Sequence, residues 1–329
     1  MPTSREFRLA SRPSGLPTAA NFELATVDVG EPADGQILVQ NTVLSVDPYM
    51  RSRMNDAKSY VPPFQLGAPL EGGAVGRVLA SKAPGFAVGD LVLSMFGWRE
   101  SFVADHRHVR KLDPAVQPSA WLGVLGVTGL TAWAGLNLID TKAGDRVFIS
   151  GAAGGVGIIA GQLAGLRGCT VIGSAGSIEK VRMLKAELGF DDAFNYRNGD
   201  VYRQLMVAAP KGIDVYFDNV GGDHLEAAIS ALRPFGRVAA CGSISGYNEP
   251  TPGPRNMAMI ISKRLTIKGF IVTDFEPQRA QFEAEVGALL KSGALQVRET
   301  VVHGIATMPD AFLSLFSGGN TGKMLVALE

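Results

Sequence analysis

Residues 146–157 read Arg-Val-Phe-Ile-Ser-Gly-Ala-Ala-Gly-Gly-Val-Gly, which is the most informative segment of this chain. A short run of β-branched and aromatic residues, Val147–Ser150, enters a glycine-rich turn, and an apolar helical pattern follows over Val156–Leu166. Strand, turn and helix in this order form the first unit of a dinucleotide-binding α/β fold. The stretch therefore predicts a nucleotide-binding domain in the middle of the chain.

The three glycines of this turn have a specific expected role. Gly151, Gly154 and Gly157 let the backbone turn tightly and approach a pyrophosphate, and the N-terminus of the next helix faces the negative charge. Their spacing is G-x-x-G-x-x-G rather than G-x-G-x-x-G, so the glycines alone leave a second interpretation open. That alternative is an ordinary turn between a strand and a helix of an α/β domain.

The rest of the chain predicts an α/β class with a separate β-rich part. Residues 1–120 contain short apolar runs bounded by Gly, Pro and Asp, which are typical of strands. After Trp121, strands and helices alternate, which predicts a doubly wound parallel Rossmann sheet with helices on both faces. The predicted strands are Val147–Ser150, Thr170–Ser174, Ala193–Tyr196, Ile213–Asp218, Gly236–Cys241 and Leu265–Val272, and the helices are Val156–Leu166, Ile178–Leu188, Val201–Ala208, His224–Leu232 and Glu276–Leu290. A strand, a helix and a strand follow at Val297–Val302, Pro309–Phe316 and Lys323–Leu328.

Composition and charge exclude several classes of function. The 329 residues carry 31 Lys and Arg against 31 Asp and Glu, so no excess of positive charge indicates a nucleic-acid partner. Two separated cysteines, Cys169 and Cys241, form no metal-ligand pattern and are typical of a reduced, cytoplasmic protein. Two uncharged stretches, Trp121–Ile139 and Phe148–Leu166, reach the length of a membrane span. Glycine and polar residues interrupt both, so we expect a globular core and no membrane partner.

The end of the second predicted strand bears on the choice of dinucleotide. Domains that prefer NAD place an acidic residue there for the ribose hydroxyls. Here the segment reads Ser174-Ala-Gly-Ser-Ile-Glu-Lys180, and the strand end itself has no acid. Ser174, Ser177 and Lys180 offer donors for a 2′-phosphate, so we favour NADPH. The alternative is a solvated helix start with a surface lysine.

Several short motifs occur in order along nearly the whole chain. They are Leu9-Ala-Ser-Arg-Pro-Ser-Gly15, Ser45-Val-Asp-Pro-Tyr-Met-Arg51, Gly129-Leu-Thr-Ala132, Ala152-Ala-Gly-Gly-Val-Gly157, Phe217-Asp-Asn-Val-Gly-Gly222, Cys241-Gly-Ser-Ile-Ser-Gly-Tyr-Asn248 and Asn320-Thr-Gly-Lys323. With these motifs the chain resembles the zinc-independent medium-chain dehydrogenase/reductase superfamily. Within it, the chain is most similar to the prostaglandin reductase and leukotriene hydroxydehydrogenase group, and among these to the bacterial NADPH-dependent curcumin reductases.

The resemblance implies a domain organisation and an assembly. A GroES-like catalytic domain is built from both chain ends, residues 1–122 and 295–329. A NADP-binding Rossmann domain lies between them, at residues 123–294. Relatives of this kind form homodimers in which the edge strands of two nucleotide-binding sheets pair, which would place Leu265–Val272 near the interface.

The resemblance also bears on metal binding. Zinc-dependent relatives place a cysteine where this chain has Leu44 and a histidine where it has Leu70. Without thiolate or imidazole ligands a tetrahedral zinc site cannot form at those positions. His106 and His108 alternate along one segment, and we expect a surface or barrel-loop pair there. The predicted cofactor is therefore NADPH, with no zinc or other metal.

The implied reaction is reduction of the carbon–carbon double bond of α,β-unsaturated ketones and aldehydes, small-molecule enones and enals. Without zinc this reaction is easier than alcohol oxidation, because a few positioned donors can stabilise the enolate charge. The resemblance nominates Tyr247, which either donates to the carbonyl oxygen or only positions the cofactor, and Tyr49, which lines the pocket. The implied cofactor-binding residues are Thr131, Ala153, Gly154, Gly155, Val156, Lys180, Tyr196, Asn219, Cys241, Gly242, Ser243, Tyr247, Phe270, Ile271, Val272 and Asn320.

Other interpretations of the same residues stay open. An NADP-dependent alcohol dehydrogenase or a quinone reductase would share the fold, and a non-catalytic NADPH-binding protein would share the binding residues. Tyr247 can be a packed loop residue and Tyr49 a fixed barrel residue. Cys241 is expected to be a small buried residue rather than a nucleophile, because no histidine lies near it in sequence. The substrate itself depends on two loops rich in Pro and Gly, Asn55–Gln65 and Ile244–Met257.

Overall fold

A computed structural model describes residues 3–328, and the chain forms two compact units. Of the described residues, the first unit consists of 3–122, Thr300–Asn320 and 324–328. The second unit consists of Gly123–Glu299 and Thr321–Lys323.

The first unit is built mainly on antiparallel strands. Its short helices are α1 (Met50–Arg53) and, late in the chain, α9 (Met308–Ser317). The strands are β1 (Thr3–Leu9), β2 (Phe22–Asp28), β3 (Gln36–Val46), β4 (Ala74–Ser81), β5 (Leu91–Ser94), β6 (Ser101–Asp105), β7 (Val109–Lys111), β14 (Glu299–His303) and β15 (Lys323–Ala327). β1 pairs with β2, and the others form one sheet in the order β14-β15-β3-β4-β5-β7, with β6 paired to β3.

An aromatic cluster dominates the core of the first unit. The Trp98 ring stacks on Phe22 at 5.6 Å between centroids, and Phe7 meets Trp98 edge-on at 6.0 Å. Leu44 and Leu70 belong to the same buried core. Both side chains, at the positions where the resemblance implies ligands in zinc-dependent relatives, are therefore part of the hydrocarbon core.

Parallel strands make the sheet of the second unit. They are β8 (Arg146–Ile149), β9 (Thr170–Ala175), β10 (Asp192–Asn195), β11 (Ile213–Asp218), β12 (Leu232–Ala240) and β13 (Thr266–Gly269), in the spatial order β10-β9-β8-β11-β12-β13. The helices are α2 (Val127–Leu138), α3 (Gly155–Leu166), α4 (Ile178–Ala186), α5 (Val201–Ala208), α6 (Gly222–Ala231), α7 (Ala258–Lys263) and α8 (Arg279–Lys291). The predicted fold class, a parallel Rossmann sheet with a separate β-rich domain, is confirmed.

The order of the strands reverses at β8. From β8 the chain moves outward to β9 and β10, and then returns to β11 on the other side of β8. In doubly wound sheets, ligands bind outside the carboxyl ends of the strands at such a reversal. We therefore expect a ligand site at the residues that follow Ile149 and Asp218.

Three predicted elements differ by more than two residues from their bounds in the structure. β12 begins at Leu232 rather than Gly236. β13 ends at Gly269, so Phe270–Val272 lie beyond the strand rather than within it. α8 begins at Arg279 rather than Glu276, because Val272–Gln278 forms a 3₁₀ helix that contains Pro277. Proline has no N–H to donate inside an α-helix, so α8 starts after it. The short helix α7 was not predicted.

The two uncharged stretches fold as ordinary elements of the second unit and its border. Residues 121–139 contain α2, and residues 148–166 contain the end of β8, the turn and α3. Across residues 3–328, no helix combines the length and the apolar character that a membrane span requires.

Candidate active site

The glycine turn, residues 150–154, connects β8 to α3 at the reversal of the strand order. Gly151 has a φ of 58°, in the left-handed region that glycine adopts without strain. A Cβ atom on Gly157 would overlap the carbonyl oxygen of Gly151 and lie 2.7 Å from the Cα atom of Ala152. The turn therefore passes so close to the first turn of the helix that only glycine fits at position 157.

The N-terminus of α3 opens toward this turn. Gly154 is the N-cap residue, and the N–H of Ile158 donates to its carbonyl oxygen at 3.0 Å. The N–H groups of the first helical residues have no acceptor within the helix and carry the positive end of its dipole. The N–H of Gly322 donates to Ala153 O at 2.8 Å and fixes the turn from outside. The nominated residues Ala153, Gly154, Gly155 and Val156 all lie here.

A buried hydrogen-bond network that the sequence did not reveal supports the turn. The Tyr216 hydroxyl donates to the Asp218 carboxylate at 2.7 Å and lies 2.9 Å from Ser150 Oγ. The same carboxylate accepts from the backbone N–H groups of Val220 and Gly221, at 3.0 and 2.7 Å. One buried acid thereby holds the end of β8 and the turn after β11 together.

The protonation of this network follows from its burial. Burial raises the pKa of Tyr216 well above its usual value, so the phenol stays a donor. Burial also raises the pKa of Asp218, against the opposing effect of the hydrogen bonds from Gly221 and Tyr216. The only motif signal for this group was the Asp-Asn-Val-Gly-Gly segment, from which Asn219 alone was nominated.

Asn219 joins the carboxyl ends of three strands. Its side-chain amide donates to Ser150 O at 2.7 Å, and its side-chain oxygen accepts from the Cys241 thiol at 3.2 Å. Burial raises the pKa of that thiol well above its usual value, so the sulfur is neutral rather than a nucleophilic thiolate. Asn219 and Cys241 are thus brought together beside the glycine turn.

The loop after β12 carries three nominated residues, Gly242, Ser243 and Tyr247. The N–H of Gly242 donates to Asp218 O at 3.1 Å, which fixes the start of the loop. The carbonyl of Ser243 accepts from Gly246 N–H at 2.9 Å, within a 3₁₀ turn that ends directly before Tyr247. Tyr247 is half-buried.

The far end of the same loop is tied to α6. The backbone N–H and the guanidinium of Arg255 both donate to the Glu226 carboxylate, at 2.8 to 3.2 Å. The Asn256 amide donates to Glu226 O at 2.8 Å and to Ser230 Oγ at 2.7 Å. The loop that carries Tyr247 is therefore held at both ends.

Phe270, Ile271 and Val272 directly follow β13. A Cβ atom on Gly135 of α2 would lie 3.0 Å from the Phe270 ring, so the helix and this segment pack closely. Thr131, one turn earlier on α2, donates its hydroxyl to Val127 O at 2.7 Å. That hydroxyl is therefore engaged within its own helix.

The end of β9 holds the residues nominated for a 2′-phosphate. Ser177 caps α4 and accepts from Lys180 N–H at 3.3 Å. Ser174 Oγ is buried, and no group within residues 3–328 makes a hydrogen bond with it. Burial lowers the pKa of the Lys180 ammonium, and the positive charge of Arg197 lowers it further. Arg197 was not predicted, because it belongs to a different strand end.

Tyr196 opens the 3₁₀ turn after β10. A Cβ atom on Gly176 would lie 3.1 Å from the Tyr196 hydroxyl, so the loops after β9 and β10 approach one another. The Tyr196 ring meets the buried His224 edge-on at 5.2 Å between centroids. Lys180 and Tyr196 are thereby placed on neighbouring strand ends.

Tyr49 lies in the first unit, directly before α1. Burial raises the pKa of its phenol, and the negative charge of Asp47 raises it further. The neighbouring Arg53 donates to the Glu71 carboxylate at 2.7 Å, and its guanidinium carbon lies 4.1 Å from the centre of the Phe64 ring. The phenol of Tyr49 therefore stays protonated, and the side chain also packs against the apolar core of this unit.

Asn320 and the two alternating histidines, His106 and His108, lie in the first unit. Asn320 is half-buried and follows α9 in the first unit. His106 Nδ1 lies 2.8 Å from Gly35 O, while the His108 ring lies 6.4 Å from that of Phe96. Across the described residues 3–328, no three or more His, Cys, Asp and Glu side chains are grouped to hold a metal ion.

Comparison with known proteins gives matches along the chain. Residues 5–112 match a family model described as the N-terminal domain of oxidoreductase, and residues 155–292 match one described as zinc-binding dehydrogenase. The chain is 39% identical to the NADPH-dependent curcumin reductase of Escherichia coli, over 98% of this chain and 96% of that protein. It is 40% identical to a 2-alkenal reductase (NADP⁺-dependent) of Nicotiana tabacum, over 99% of this chain and 98% of that protein.

A solved structure agrees over the same length. The crystal structure of CurA from Vibrio vulnificus in complex with NADPH is 40% identical in sequence. It superimposes with a TM-score of 0.94 and covers 99% of each chain.

Proposed function

Because this chain belongs to the medium-chain dehydrogenase/reductase family, we propose that it is an NADPH-dependent reductase of the carbon–carbon double bond of α,β-unsaturated ketones and aldehydes. The observation that carries the proposal is full-length similarity, at 39 and 40% identity, to a curcumin reductase and a 2-alkenal reductase. The predicted family is confirmed by the same matches.

The residues at the reversal of the strand order fit a bound dinucleotide. The glycine turn has no room for a side chain at Gly157, and α3 presents its positive end there. Ser174 Oγ, which is buried without a partner among residues 3–328, lies at the end of β9 close to Ser177 and Lys180. We assign the pyrophosphate to residues 153–156 and the 2′-phosphate to the end of β9.

The chemistry needs few groups from the protein. NADPH supplies a hydride when bound. Reduction of an enone at its β-carbon develops negative charge on the carbonyl oxygen, and a positioned donor stabilises that charge. We assign Tyr247 as this donor, and as the acid or the water-positioning group in the protonation that follows. Tyr49, kept protonated by its burial, is assigned to the substrate pocket of the first unit.

We further propose that the reaction needs no zinc. Leu44 and Leu70 are 0 and 1% exposed in the apolar core of the first unit. Neither side chain has an atom that can bind a metal. We therefore assign to hydrogen-bond donors, rather than to a zinc ion, the stabilisation of the negative charge that develops on the carbonyl oxygen.

A homodimer through β13 belongs to the same proposal. β13 is the end strand of the sheet, and all four of its residues, Thr266–Gly269, are exposed. An exposed strand edge offers unpaired backbone groups to a second copy of the chain. The cytoplasmic location stays a prediction from the cysteine usage.

A substrate panel tests the reaction type. Loss of NADPH absorbance is followed with a short 2-alkenal, a ring enone, a diarylheptanoid enone, a saturated ketone and a quinone. We expect turnover with the conjugated alkenes and none with the saturated ketone or the quinone. Turnover of the ketone or quinone alone would favour an alcohol dehydrogenase or a quinone reductase, and tight NADPH binding without any turnover would favour a non-catalytic protein.

Tyr247→Phe tests the assigned donor, with Tyr202→Phe as control because Tyr202 is an exposed residue of α5 and is not among the nominated site residues. Loss of a donor to a developing oxyanion lowers kcat about 100-fold or more. An unchanged kcat with a raised KM for NADPH would show that Tyr247 only positions the cofactor.

A further inference from the structure

A second cation lies beside Lys180, on the neighbouring strand end. Arg197 sits in the 3₁₀ turn after β10, and its backbone N–H donates to Asn195 Oδ1 at 3.0 Å. Its guanidinium carbon lies 5.9 Å from the centre of the Tyr196 ring. A Cβ atom on Gly176, in the loop after β9, would lie 3.5 Å from Arg197 Nε. The guanidinium is therefore directed toward the loop that leads to Lys180.

The two cations are close enough to affect one another. The positive charge of Arg197 helps to lower the pKa of Lys180, after the larger effect of burial. The nearest acid in sequence, Glu179, is ionised, because a backbone hydrogen bond, the Ser177 hydroxyl and the charge of Arg182 lower its pKa. Two like charges held near each other repel, and an anion placed between them relieves that repulsion.

Small and polar groups border the same region. Gly176 has no side chain, and one placed there would come within 3.1 Å of the Tyr196 hydroxyl. Ser174 Oγ is buried, with no hydrogen-bond partner in the part of the chain that the structure describes. A buried hydroxyl without a partner is uncommon and indicates a ligand or water that completes it. The ends of β9 and β10 thus combine a close approach of their two loops, a buried hydroxyl without a partner in the described residues, and two positive charges.

We propose that Arg197 is a specificity-determining residue that binds the 2′-phosphate of NADPH together with Lys180. This inference rests on the proposed function. Arg197 comes from the third strand and Lys180 from the helix after the second, so a dianionic phosphate joins two segments. A guanidinium presents two N–H groups to phosphate oxygens, whereas an ammonium acts as a point charge.

Nucleotide binding without substrate tests the assignment. Titration calorimetry with NADP⁺ and NAD⁺, which differ by the 2′-phosphate alone, is done on the wild type and on Arg197→Gln. Loss of a charge-assisted contact should weaken NADP⁺ binding by about 10- to 100-fold and leave NAD⁺ binding within about twofold. Arg197→Lys should bind NADP⁺ with an affinity between those of the wild type and Arg197→Gln, because it keeps the positive charge but loses the second donor.

Arg182→Gln is the matched control, since Arg182 is an exposed arginine on α4, two residues from Lys180. It should bind both nucleotides as the wild type does. If Arg197→Gln binds NADP⁺ as tightly as the wild type, or weakens NADP⁺ and NAD⁺ equally, the role of Arg197 is overturned while the NADPH assignment stands. If the wild type itself shows no preference for NADP⁺, the cofactor assignment of the proposed function fails, and this inference fails with it.

Discussion

Acidification is expected to weaken the second unit through His224. This side chain lies in the first turn of α6, and the residue is 5% exposed. Its ring stacks over Phe148 at 6.5 Å between centroids and meets Tyr196 edge-on at 5.2 Å. Within residues 3–328 its Nε2 atom has no hydrogen-bond partner. Burial lowers the pKa of His224 from 6.5 to about 4, although the charge of Asp223 opposes this.

The sign and size of the effect follow from those pKa values. The imidazole is neutral in the folded chain, whereas the unfolded chain takes up a proton below its pKa of 6.5. The contribution of His224 to stability is therefore complete above pH 6.5 and is lost as the pH falls toward about 4. It amounts to about 2 kcal/mol at a pH of about 5 and at most about 3 kcal/mol. Asp218, whose pKa is raised, acts in the opposite direction, so the contribution of His224 must be isolated by substitution.

The variant His224→Phe isolates the contribution of His224 to stability, because it keeps an aromatic ring beside Phe148 and Tyr196 but does not titrate. Urea unfolding followed by fluorescence is measured at a pH of about 7.5 and of about 5, and the wild type should lose about 2 kcal/mol more than the variant. His303→Gln is the control, since His303 is exposed on β14. The chain has four histidines, so NMR can follow each ring, and the His224 ring should not titrate in this range. A His224 ring that titrates near 6.5 in the folded protein would show that burial does not keep the imidazole neutral.

Three further predictions concern the turn, the network and the edge strand. Gly157→Ala should weaken NADP⁺ binding and destabilise the fold by about 1–3 kcal/mol, because its Cβ atom would overlap Gly151 O. The control is Gly165→Ala in the same helix, where a Cβ atom meets only Val171 at 3.9 Å, so this variant should be neutral or stabilising. Equal losses of stability in the two variants would contradict a specific role of Gly157. Asp218→Asn should lower the free energy of unfolding by about 1–3 kcal/mol in urea titrations, because an amide cannot accept hydrogen bonds from Tyr216, Val220 and Gly221 as the carboxylate does. An unchanged unfolding midpoint would show that this hydrogen-bond network does not stabilise the fold. Ile267→Lys on β13 should convert a dimer to a monomer, as measured by light scattering. The control Val207→Lys, on the exposed face of α5, should leave the dimer intact. A wild-type protein that is monomeric would contradict the proposed interface.

The elements around the glycine turn could be predicted because their signals are local. Consecutive positions hold a β-branched run, three spaced glycines and an apolar helix. Each of these patterns favours one backbone conformation of its own residues. The strand β11 and the helix α5 have the predicted bounds for the same reason. The start of α8 was missed because Pro277 shifts it by three residues, and the exposed α7 lacks an apolar pattern strong enough to identify it.

The hydrogen-bond network was not predictable from such local signals. Tyr216 lies in the middle of an apolar strand, where a tyrosine usually indicates packing alone, and its partner Ser150 is 66 residues earlier in the chain. Only the alignment of β8 beside β11 brings the two hydroxyls within 2.9 Å. A single sequence therefore contains no local pattern that identifies such a long-range pair.

The same distinction explains why one cation of the proposed phosphate site was found and the other missed. Lys180 follows the second strand by a few residues, so its position relative to the nucleotide follows from the known order of strand, loop and helix. Arg197 follows the third strand and comes near the loop after β9 only because β10 lies next to β9, and because Gly176 has no side chain and lets the two loops approach closely. A preference for NADPH that depended on Lys180 alone could be read from one segment. A preference that depends on both residues is a property of the paired strands, and substitution of either residue should reduce it.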